Sequence, residues 1–441
     1  MVVSRRGLLR IFSKKRLKID YIILICMNHD ICILGLGYIG LPTASIFATR
    51  GKKVLGVDVV PHVVETINRG NVHIDEPDLD VLVRAAVHSG NLRAGLKPEA
   101  AETFVVAVPT PFKATPINPK APDLTYVESA IRSIAHVVAT GNLIILESTS
   151  PVGTTELMRD WLLDELEKVR PADVASLRSS LLFAHCPERI LPGQMLKELV
   201  ANDRIAGGLT PAASEAAREL YRSFCVGEIF LTDARTAEMC KLTENASRDV
   251  GIAFANELSL ICDRLRIDVW ELIKLANRHP RVKILQPGPG VGGHCIAVDP
   301  WFIVDAAPDL ARLIRTAREV NDAKPHHVIE HVMACAQRFR FPVIACLGLA
   351  FKADVDDLRE SPAMEIVQHL AADKTNRVLV VEPHITELPG PLEGQVELAS
   401  LEAAVAAADV VVLLVNHREF FDLDRRDLDG KVLIDTRGVW C

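Results

Sequence analysis

An apolar run, a glycine-rich turn, a helical segment, a second apolar run and an acid follow one another near the amino end of this chain. The turn is Gly35-Leu36-Gly37-Tyr38-Ile39-Gly40, and the acid is Asp58. In such a unit the first glycine permits the tight turn, the second admits a pyrophosphate and the third lets the helix pack on the strand. The phosphates bind at the helix amino end, and the acid accepts hydrogen bonds from the adenosine ribose and repels a 2′-phosphate. The sequence therefore predicts a dinucleotide-binding domain that prefers NAD to NADP, and a merely tight turn is the weaker alternative.

The alternation of strands and helices continues beyond this unit. Strands are predicted at 104–108 and 143–147, with a helix at 123–140 between them. Repeated strand–helix–strand units build a parallel sheet with helices on both faces. Thr110 and Thr149 follow the two strands, where ligands bind in such sheets, although threonines there are equally typical of helix caps.

The middle of the chain is predicted to be a long helix. Residues 236–278 contain little glycine or proline and have apolar residues at helical spacing. Lys241, Asn245 and Arg248 share one face of that helix. Such a row suits an anionic substrate, and a solvated polar face is the alternative. We expect the helix to bridge domains or subunits.

A glycine-rich loop follows the helix and ends in a cysteine. The loop is Gly288-Pro289-Gly290-Val291-Gly292-Gly293-His294-Cys295. Glycines allow a substrate to approach the backbone closely. Asp299 as an N-cap and Pro300 at the first helical position predict a helix start, whose positive end favours the thiolate of Cys295. An ordinary buried thiol in a loop is the alternative.

A second α/β unit is predicted at the carboxyl end. The turn after its first strand, Gly348-Leu349-Ala350-Phe351-Lys352, lacks the full glycine fingerprint, so a nucleotide fold without the dinucleotide turn is expected. Lys352 and Arg359 can meet a phosphate there, and simple surface charge is the alternative. The strands of this unit are predicted at 343–347, 377–381, 410–415 and 431–434, with a helix within 357–372.

Composition limits the class of protein. The chain has 441 residues, of which 49% are hydrophobic and 24% charged, as in globular proteins of two or three domains. Its net charge of -7 argues against nucleic-acid binding. The ten cysteines include no CxxC pair and no zinc spacing, so we expect reduced thiols, no metal site and a cytoplasmic location.

The first 26 residues form a basic leader. Its apolar run at 21–27 is too short to span a bilayer and lacks a cleavage site. We expect the leader to be disordered or untranslated, with translation starting at Met27, and a weak amphipathic membrane contact is the alternative. Later apolar runs have the length of buried strands, so no membrane span is predicted.

Six separated motifs resemble those of the nucleotide-sugar 6-dehydrogenases, the family that contains the UDP-glucose and GDP-mannose dehydrogenases. The resemblance runs from about Asp30 to the chain end, and His294 with the segment 296–301 is similar to the acetamido-sugar branch. It departs at Val355, where relatives commonly have threonine, and at the leader. The motifs are Gly35-Leu36-Gly37-Tyr38-Ile39-Gly40-Leu41-Pro42, Cys186-Pro187-Glu188-Arg189, Lys241-Leu242-Thr243-Glu244-Asn245, His279-Pro280-Arg281, Gly290-Val291-Gly292-Gly293-His294-Cys295 and Asp356-Asp357-Leu358-Arg359-Glu360-Ser361-Pro362.

The resemblance implies that a primary alcohol at C6 of a sugar nucleotide is oxidised to a carboxylate, with two NAD in succession. Cys295 matches the family nucleophile, whose thiolate captures the intermediate aldehyde; the thiohemiacetal then loses a hydride and becomes a thioester that water hydrolyses. Lys241 matches the catalytic lysine, which stabilises oxyanions or moves protons, and Asn245 donates a second hydrogen bond. Asp299 matches an acid that handles the hydrolytic water. Glu188 matches a carboxylate near the sugar, for which general base is the weaker assignment.

Binding positions follow from the same motifs. A family counterpart of Arg281 can come from a neighbouring subunit, so a homodimer or higher homo-oligomer built around the long helix is expected. The NAD contacts are expected at Gly35, Gly37, Tyr38, Ile39, Gly40, Asp58, His62, Thr110 and Thr149. The substrate contacts are expected at Arg189, Ile190, Lys241, Asn245, Arg248, His279, Arg281, Gly292, Lys352 and Arg359.

The resulting prediction is an α/β protein with two Rossmann-like, doubly wound parallel-sheet domains joined by a long central helix. Its predicted parts are the leader (1–26), an NAD-binding domain (27–210), a central helical domain for dimerisation and catalysis (211–325) and a Rossmann-like UDP-sugar-binding domain (326–441).

The expected substrate is UDP-N-acetyl-D-mannosamine, and the expected product is UDP-N-acetyl-D-mannosaminuronate, a precursor of surface polysaccharide. The same reaction on UDP-N-acetylglucosamine or UDP-glucose stays open, because a linear pattern does not reveal the orientation of a sugar substituent. A two-electron NAD dehydrogenase and a non-enzymatic NAD-sensing module are further alternatives. The presence of both Lys241 and Cys295 argues against the second of these.

Overall fold

A computed structural model describes residues 29–74, 76–114, 118, 120–190, 193–293 and 295–440. The expected leader (1–26) and His294 of the cysteine motif lie outside these residues. The chain divides into two compact units, and the division falls after Leu242, inside one long helix.

Strands and helices alternate through the first unit. Its strands are β1 (His29–Leu34), β2 (Val54–Val57), β3 (Leu92–Gly95), β4 (Ala101–Val106), β5 (Phe112–Lys113), β6 (Ala121–Pro122), β7 (Leu143–Leu146), β8 (Leu182–His185), β9 (Arg204–Gly208) and β10 (Ile229–Asp233). Its helices are α1 (Gly40–Thr49), α2 (Pro61–Asn68), α3 (Leu79–His88), α4 (Thr125–Ser133), α5 (Thr154–Val169), α6 (Val174–Ser180), α7 (Met195–Ala201), α8 (Pro211–Tyr221) and the start of α9 (Ala234–Leu265).

Eight of the described strands of this unit form one sheet in the order β10-β9-β8-β7-β4-β1-β2-β3, and β5 and β6 pair separately as an antiparallel ribbon. The strands from β8 to β3 in that order are parallel, whereas β9 runs antiparallel to β8. Alternate residues of a strand point to opposite faces, so Ile31 and Ile33 join one apolar core while Cys32 and Leu34 join the other. Burial on both faces explains why these strands are continuous apolar runs.

The second unit has helices around a smaller sheet. Its described strands lie in the order β13-β12-β11-β14-β15, and every neighbouring pair is parallel. Its strands are β11 (Val343–Leu347), β12 (Arg377–Val381), β13 (Glu397–Leu398), β14 (Val410–Leu413) and β15 (Val432–Asp435). Its helices are the rest of α9, α10 (Val269–Ala276), α11 (Asp299–Ala306), α12 (Arg312–Ala336), α13 (Pro362–Ala372) and α14 (Leu401–Ala407).

A buried polar network fastens α9 to α12. Arg318 donates to the Asp249 carboxylate at 2.6 Å, and Asn321 donates to the same oxygen at 2.8 Å. The side chain of Asn256 then links Asn321 to the backbone N–H of Gly288, both at 2.9 Å. Because a buried charge that loses its partner costs about 3–5 kcal/mol, this network holds the helices and the start of the glycine-rich loop in one arrangement.

The turns after β1 and β11 share one backbone arrangement. Gly35 and Gly348 both have φ of 94°, a left-handed conformation that favours glycine. In each turn an acid accepts the N–H of the residue after the glycine. Asp58 accepts from Leu36 at 3.0 Å, and Glu382 accepts from Leu349 at 2.7 Å. The second sheet thus repeats the first turn although its sequence lacks the full fingerprint.

The prediction of an α/β protein with two Rossmann-like sheets and a long central helix is confirmed. Several predicted bounds were wrong. The predicted helix 123–140 is α-helical only from Thr125 to Ser133. The predicted long helix 236–278 is broken after Leu265, because Arg266 has φ of 58° and Asp268 caps a new helix. The domain boundaries at 210 and 325 stay predictions.

Among the described helices, none combines the length and apolarity that crossing a bilayer requires.

Candidate active site

The three glycines of the turn after β1 have different surroundings. A methyl group on Gly35 would lie 2.6 Å from the carbonyl oxygen of Ala107, and one on Gly40 would overlap the carbonyl oxygen of Gly35. At Gly37, by contrast, no described heavy atom lies within 4 Å of such a methyl group. Two of the glycines are therefore needed for the fold, and the third leaves room for a ligand at the amino end of α1.

The carboxylate of Asp58 is oriented by backbone donors. One of its oxygens accepts from Leu36 and the other from Val60, both at 3.0 Å. Each oxygen has a second lone pair for a ribose hydroxyl. With the open space at Gly37, this arrangement fits a dinucleotide.

Further predicted cofactor residues lie around this turn. Tyr38 and Ile39 are half-buried directly before α1, and His62 is exposed at the start of α2. The sequence analysis missed His73, whose pKa is lowered by burial and which is close enough to Asp58 and His62 for their charges to act on it. Its position in a loop before α3 carries no motif that could have indicated it.

Thr110 and Thr149 meet at the carboxyl edge of the sheet. The Thr110 hydroxyl donates to the carbonyl oxygen of Thr149 at 2.6 Å. The helices that follow begin at Thr125 and Thr154, so the alternative interpretation of these threonines as helix caps is wrong. Both lie where ligands bind in a parallel sheet.

Glu188 is buried in an ion pair at the same edge. One of its oxygens accepts from Arg204 and the other from the Arg189 N–H, each at 2.7 Å. Arg204 reaches this edge because β9, which it begins, runs antiparallel to β8. Its guanidinium lies 4.6 Å from the centre of the Tyr221 ring. The sequence offered no pattern that linked Arg204 to Glu188.

A second buried carboxylate shares this arginine. Glu147 lies 3.8 Å from the Arg204 guanidinium and accepts from the Tyr221 hydroxyl at 3.0 Å. Burial and the neighbouring charge of Glu188 raise the pKa of Glu147 to about 7, although Arg204 opposes them. One cation thus faces two carboxylates, and one of the two holds a proton up to neutrality.

Lys241 is half-buried on α9, close to a neutral histidine. Burial, with a smaller effect of Lys241, lowers the pKa of His185 to about 3. Neither ring nitrogen of His185 has a hydrogen-bond partner among the described atoms. His185 ends β8 directly before the predicted Cys186–Arg189 motif, and sequence reasoning missed it. Of the other predicted residues here, Arg189 donates to the Asp203 carbonyl at 3.2 Å and Ile190 is half-buried.

Cys295 is exposed at the entry to α11. The N–H groups of Val298 and Asp299 donate to its carbonyl oxygen at 3.1 and 2.9 Å, so it begins the helical turn that leads into α11. Asn245 donates to the Asp299 carboxylate at 2.5 Å. The prediction of Asp299 as N-cap was wrong: Asp299 is the first helical residue, and its side chain is directed to α9 instead.

The glycines before Cys295 contact protein rather than open space. A methyl group on Gly290 would lie 2.9 Å from Pro362, and one on Gly293 would lie 3.0 Å from the Phe351 ring. At Gly292 it would overlap the carbonyl oxygen of Glu360. The expectation that these glycines make room for a substrate therefore does not hold, and Gly292 can offer a ligand only its backbone.

The remaining predicted substrate residues lie at the surface of the second unit or in its βα turn. Arg248, His279 and Arg281 are exposed. Lys352 is half-buried, and Arg359 makes two hydrogen bonds to Asp357 at 2.8 and 2.6 Å.

Arg437 is a cation that the sequence analysis missed. A methyl group on Gly288 would lie 2.8 Å from its guanidinium, and burial lowers its pKa to about 10. It stands after β15, where no motif marked it.

One cluster among the described residues has metal-ligand chemistry. Ligand atoms of Asp354, His384, His417 and Glu419 lie within 4.8 Å of one another. The His417 ring already accepts from the Asp354 N–H at 3.0 Å and pairs with Glu382 at 3.1 Å. Since both ring nitrogens are used, we assign the cluster to hydrogen bonding. The expectation of a reaction site without metal stays a prediction.

Family models match most of the chain. Residues 29–225 match the NAD binding domain of the UDP-glucose/GDP-mannose dehydrogenase family. Residues 235–323 match its central domain, and residues 345–441 match its UDP binding domain.

Individual proteins are similar over nearly the full length. The chain is 62% identical over 412 residues to an NDP-N-acetyl-D-galactosaminuronic acid dehydrogenase of Ralstonia nicotianae, covering 93% of this chain and 96% of the relative. It is 55% identical over 420 residues to the UDP-N-acetyl-D-mannosamine dehydrogenase of Yersinia pestis, covering 93% and 99%. A solved structure of the UDP-N-acetyl-mannosamine dehydrogenase Cap5O from S. aureus is 41% identical, with a TM-score of 0.80 and coverage of 93% and 95%.

The different surroundings of Gly37 and Gly40 predict different effects of substitution. Gly37→Val should leave thermal stability unchanged and weaken NAD binding by about tenfold or more, because the side chain fills the space beside α1. Gly40→Ala, as the contrasting variant, should lower stability by about 1–3 kcal/mol through overpacking. NAD titration calorimetry and thermal unfolding measure both effects. Unaltered NAD affinity in Gly37→Val would contradict the assignment of this space.

The proton on Glu147 predicts a stability effect that depends on pH. The folded chain keeps this proton up to about pH 7, whereas the unfolded chain loses it near 4.5, so the wild type loses stability as pH rises through this window. Glu147→Gln removes that loss, and relative to wild type it should be about 2 kcal/mol more stable at about pH 8 than at about pH 5. Thermal unfolding at both pH values measures this difference. The exposed Glu102 on β4 supplies the control, because Glu102→Gln should show no such difference. An equal effect in both variants would contradict the raised pKa of Glu147.

Proposed function

This chain belongs to the UDP-glucose/GDP-mannose dehydrogenase family, and we propose that it oxidises the C6 alcohol of UDP-N-acetyl-D-mannosamine in two steps to UDP-N-acetyl-D-mannosaminuronate. The prediction of NAD as the cofactor is confirmed by the match to the family's NAD binding domain. When bound, NAD accepts a hydride in each step. The open space at Gly37 and the oriented Asp58 would hold it.

The observation that carries this proposal is the exposed Cys295 at the entry to a helix. The positive amino end of a helix favours a thiolate, the form that attacks a carbonyl carbon. The thiolate captures the aldehyde left by the first oxidation, and the adduct becomes a thioester in the second. A covalent bond keeps the aldehyde on the protein while the spent cofactor is exchanged.

Other residues have supporting roles in the proposal. The ammonium of Lys241 stabilises the oxyanions that form at the reacting carbon. Asp299, held by Asn245 at 2.5 Å, orients the water that hydrolyses the thioester. Because both oxygens of Glu188 accept from protein donors, we assign it a fixed negative charge near the sugar rather than the part of general base.

The UDP end is assigned to the second unit, where residues 345–441 match the UDP binding domain. Lys352 and Arg359 are the proposed phosphate contacts in the turn after β11, and the exposed Arg281 is a proposed contact contributed by a neighbouring subunit.

One face of α9 is apolar and exposed: Phe254, Ile261 and Leu265 on it are 54%, 44% and 62% exposed. This apolar face supports the proposal of a homodimer. Cysteine usage supports a cytoplasmic location.

A second candidate substrate is the nucleotide-linked N-acetyl-D-galactosamine. The observation that favours it is the 62% identity to the Ralstonia relative, against 55% to the Yersinia relative. The two sugars carry the same acetamido group and the same reacting C6 alcohol, so the proposed chemistry is common to both.

A four-electron oxidation predicts two NADH for each sugar consumed. Cys295→Ala should abolish uronate formation without weakening NAD binding, and quenched wild-type enzyme should carry a sugar adduct on Cys295 by mass spectrometry. Cys335→Ala, at a buried cysteine of the same unit, is the control and should keep the ratio of two. A ratio of one, or an adduct on another residue, would show that a two-electron dehydrogenase is the better description.

The choice of sugar is tested with saturating NAD and a panel of UDP-N-acetyl-D-mannosamine, UDP-N-acetyl-D-galactosamine, UDP-N-acetylglucosamine and UDP-glucose. We expect kcat/KM for the mannosamine to exceed that for UDP-glucose by about 100-fold or more, because a site that hydrogen-bonds an acetamido group loses those bonds with a hydroxyl. Preference for the galactosamine would select the second candidate. Preference for UDP-glucose would overturn both.

A further inference from the structure

The turn that follows β11, residues 348–361, forms one wall of the loop that leads to Cys295. The Phe351 ring lies against Gly293, where a methyl group would be 3.0 Å from one ring carbon and 3.1 Å from the next. The Glu360 carbonyl oxygen fills the side-chain space of Gly292. Gly293, with φ of 83°, has a backbone that favours glycine. Cys295 is two residues further along the chain.

The glycine-rich loop depends on such contacts for its position. Glycine has more backbone freedom than any other residue, so a loop with four glycines in six positions, from Gly288 to Gly293, loses much entropy when it is ordered. Asn256 holds the start of the loop and Asn245 holds Asp299 beyond its end. Between these two points, Pro362 lies against Gly290, and the Phe351 ring lies against Gly293, the described glycine nearest to Cys295.

The 348–361 turn is itself tightly constrained. Asp354 and Glu360 have φ of 59° and 50°, a left-handed backbone that non-glycine residues adopt only when their surroundings enforce it. The Phe351 N–H donates to the Asp357 carbonyl at 3.0 Å, across the turn. A ligand that binds one part of so short and constrained a turn therefore acts on the rest of it.

The residues proposed to meet the diphosphate belong to this same turn. Lys352 follows Phe351 directly, and its ammonium lies 5.7 Å from the centre of the Phe351 ring. Arg359 precedes Glu360, and both are exposed. Each proposed phosphate contact thus adjoins a residue that contacts the loop, within one stretch of backbone.

We propose that Phe351 is a positioning residue for Cys295: when the diphosphate end of the substrate binds the 348–361 turn, the Phe351 ring holds Gly293 and thereby places the thiol for attack on the sugar. This inference rests on the proposed function, since it needs a UDP-linked substrate. The nucleotide takes no part in the chemistry. Under this proposal, part of its binding energy is used to orient the nucleophile.

Hydrogen exchange with uridine diphosphate as the probe tests the link. In the wild type, saturating UDP should slow amide exchange both in the 348–361 turn and in peptides that cover residues 290–299. In Phe351→Ala, UDP should still slow exchange in the turn but not in residues 290–299. The ring-preserving Phe351→Tyr should behave as the wild type. Phe341→Ala is the matched control, because Phe341 is 70% exposed and precedes the opposite end of β11.

Kinetics supply the second measurement. Phe351→Ala should lower kcat about tenfold or more while KM for the nucleotide sugar changes less than about threefold, because binding is kept and orientation is lost. Because Phe351 is half-buried, Phe351→Ala should lower the thermal midpoint more than Phe341→Ala does. A general loss of structure is distinguished from this local effect because it would also abolish the slowing of exchange by UDP in the 348–361 turn.

The outcomes separate the two proposals. If UDP leaves exchange in the wild-type turn unchanged, the assignment of the UDP end to this turn fails. If UDP protects residues 290–299 equally in Phe351→Ala, the ligand contacts the loop directly and the positioning role of Phe351 is wrong. A raised KM with an unchanged kcat in Phe351→Ala would also overturn the positioning role.

Discussion

The contact between a loop with almost no side chains and the turn after β11 is the constraint on which the proposed nucleophile depends. Protein atoms already occupy the side-chain positions of Gly290, Gly292 and Gly293, so no other residue fits at these positions without displacing its neighbours. Phe351, Glu360 and Pro362, which occupy these positions, follow the cysteine at the end of the loop by more than fifty positions in the chain. Packing against the sheet, rather than access for a substrate, is therefore the physical reason for glycine at each of these positions.

Buried ion pairs are the second constraint on the structure, and each unit has its own set of them. In the first unit Arg204 serves both Glu188 and Glu147, so one negative charge is in excess unless Glu147 keeps a proton. In the second unit Arg318 and Asp249 lie within a network whose amides also bind the loop backbone. The desolvation cost of both sets is offset by hydrogen bonds that fix side-chain directions.

Much of the fold could be predicted from local pattern. The strands at 343–347 and 377–381 were predicted to the residue, because apolar runs that are buried after their first residue end at turn residues there. The distinct tasks of Gly35, Gly37 and Gly40 were also readable, since each depends on the turn itself. The role of the loop glycines was not, because it depends on Phe351 and Glu360, which lie far along the chain. The pairing of Arg204 with Glu188 was equally hidden, because it needs the reversed direction of β9.

The likeness of the turns at Gly35 and Gly348 has a consequence for how two nucleotides are told apart. At the first turn Asp58 is half-buried, and each of its oxygens accepts one backbone N–H and has a second lone pair for a ribose hydroxyl. At the second turn the acid is enclosed: Glu382 accepts three backbone N–H groups and pairs with the buried ring of His417. The two turns thus have the same backbone arrangement but differ in how accessible their acid is. Because His417 already pairs with Glu382, this acid has less capacity left for a ribose hydroxyl than Asp58 has, so two turns with the same backbone arrangement differ in what their acids can accept.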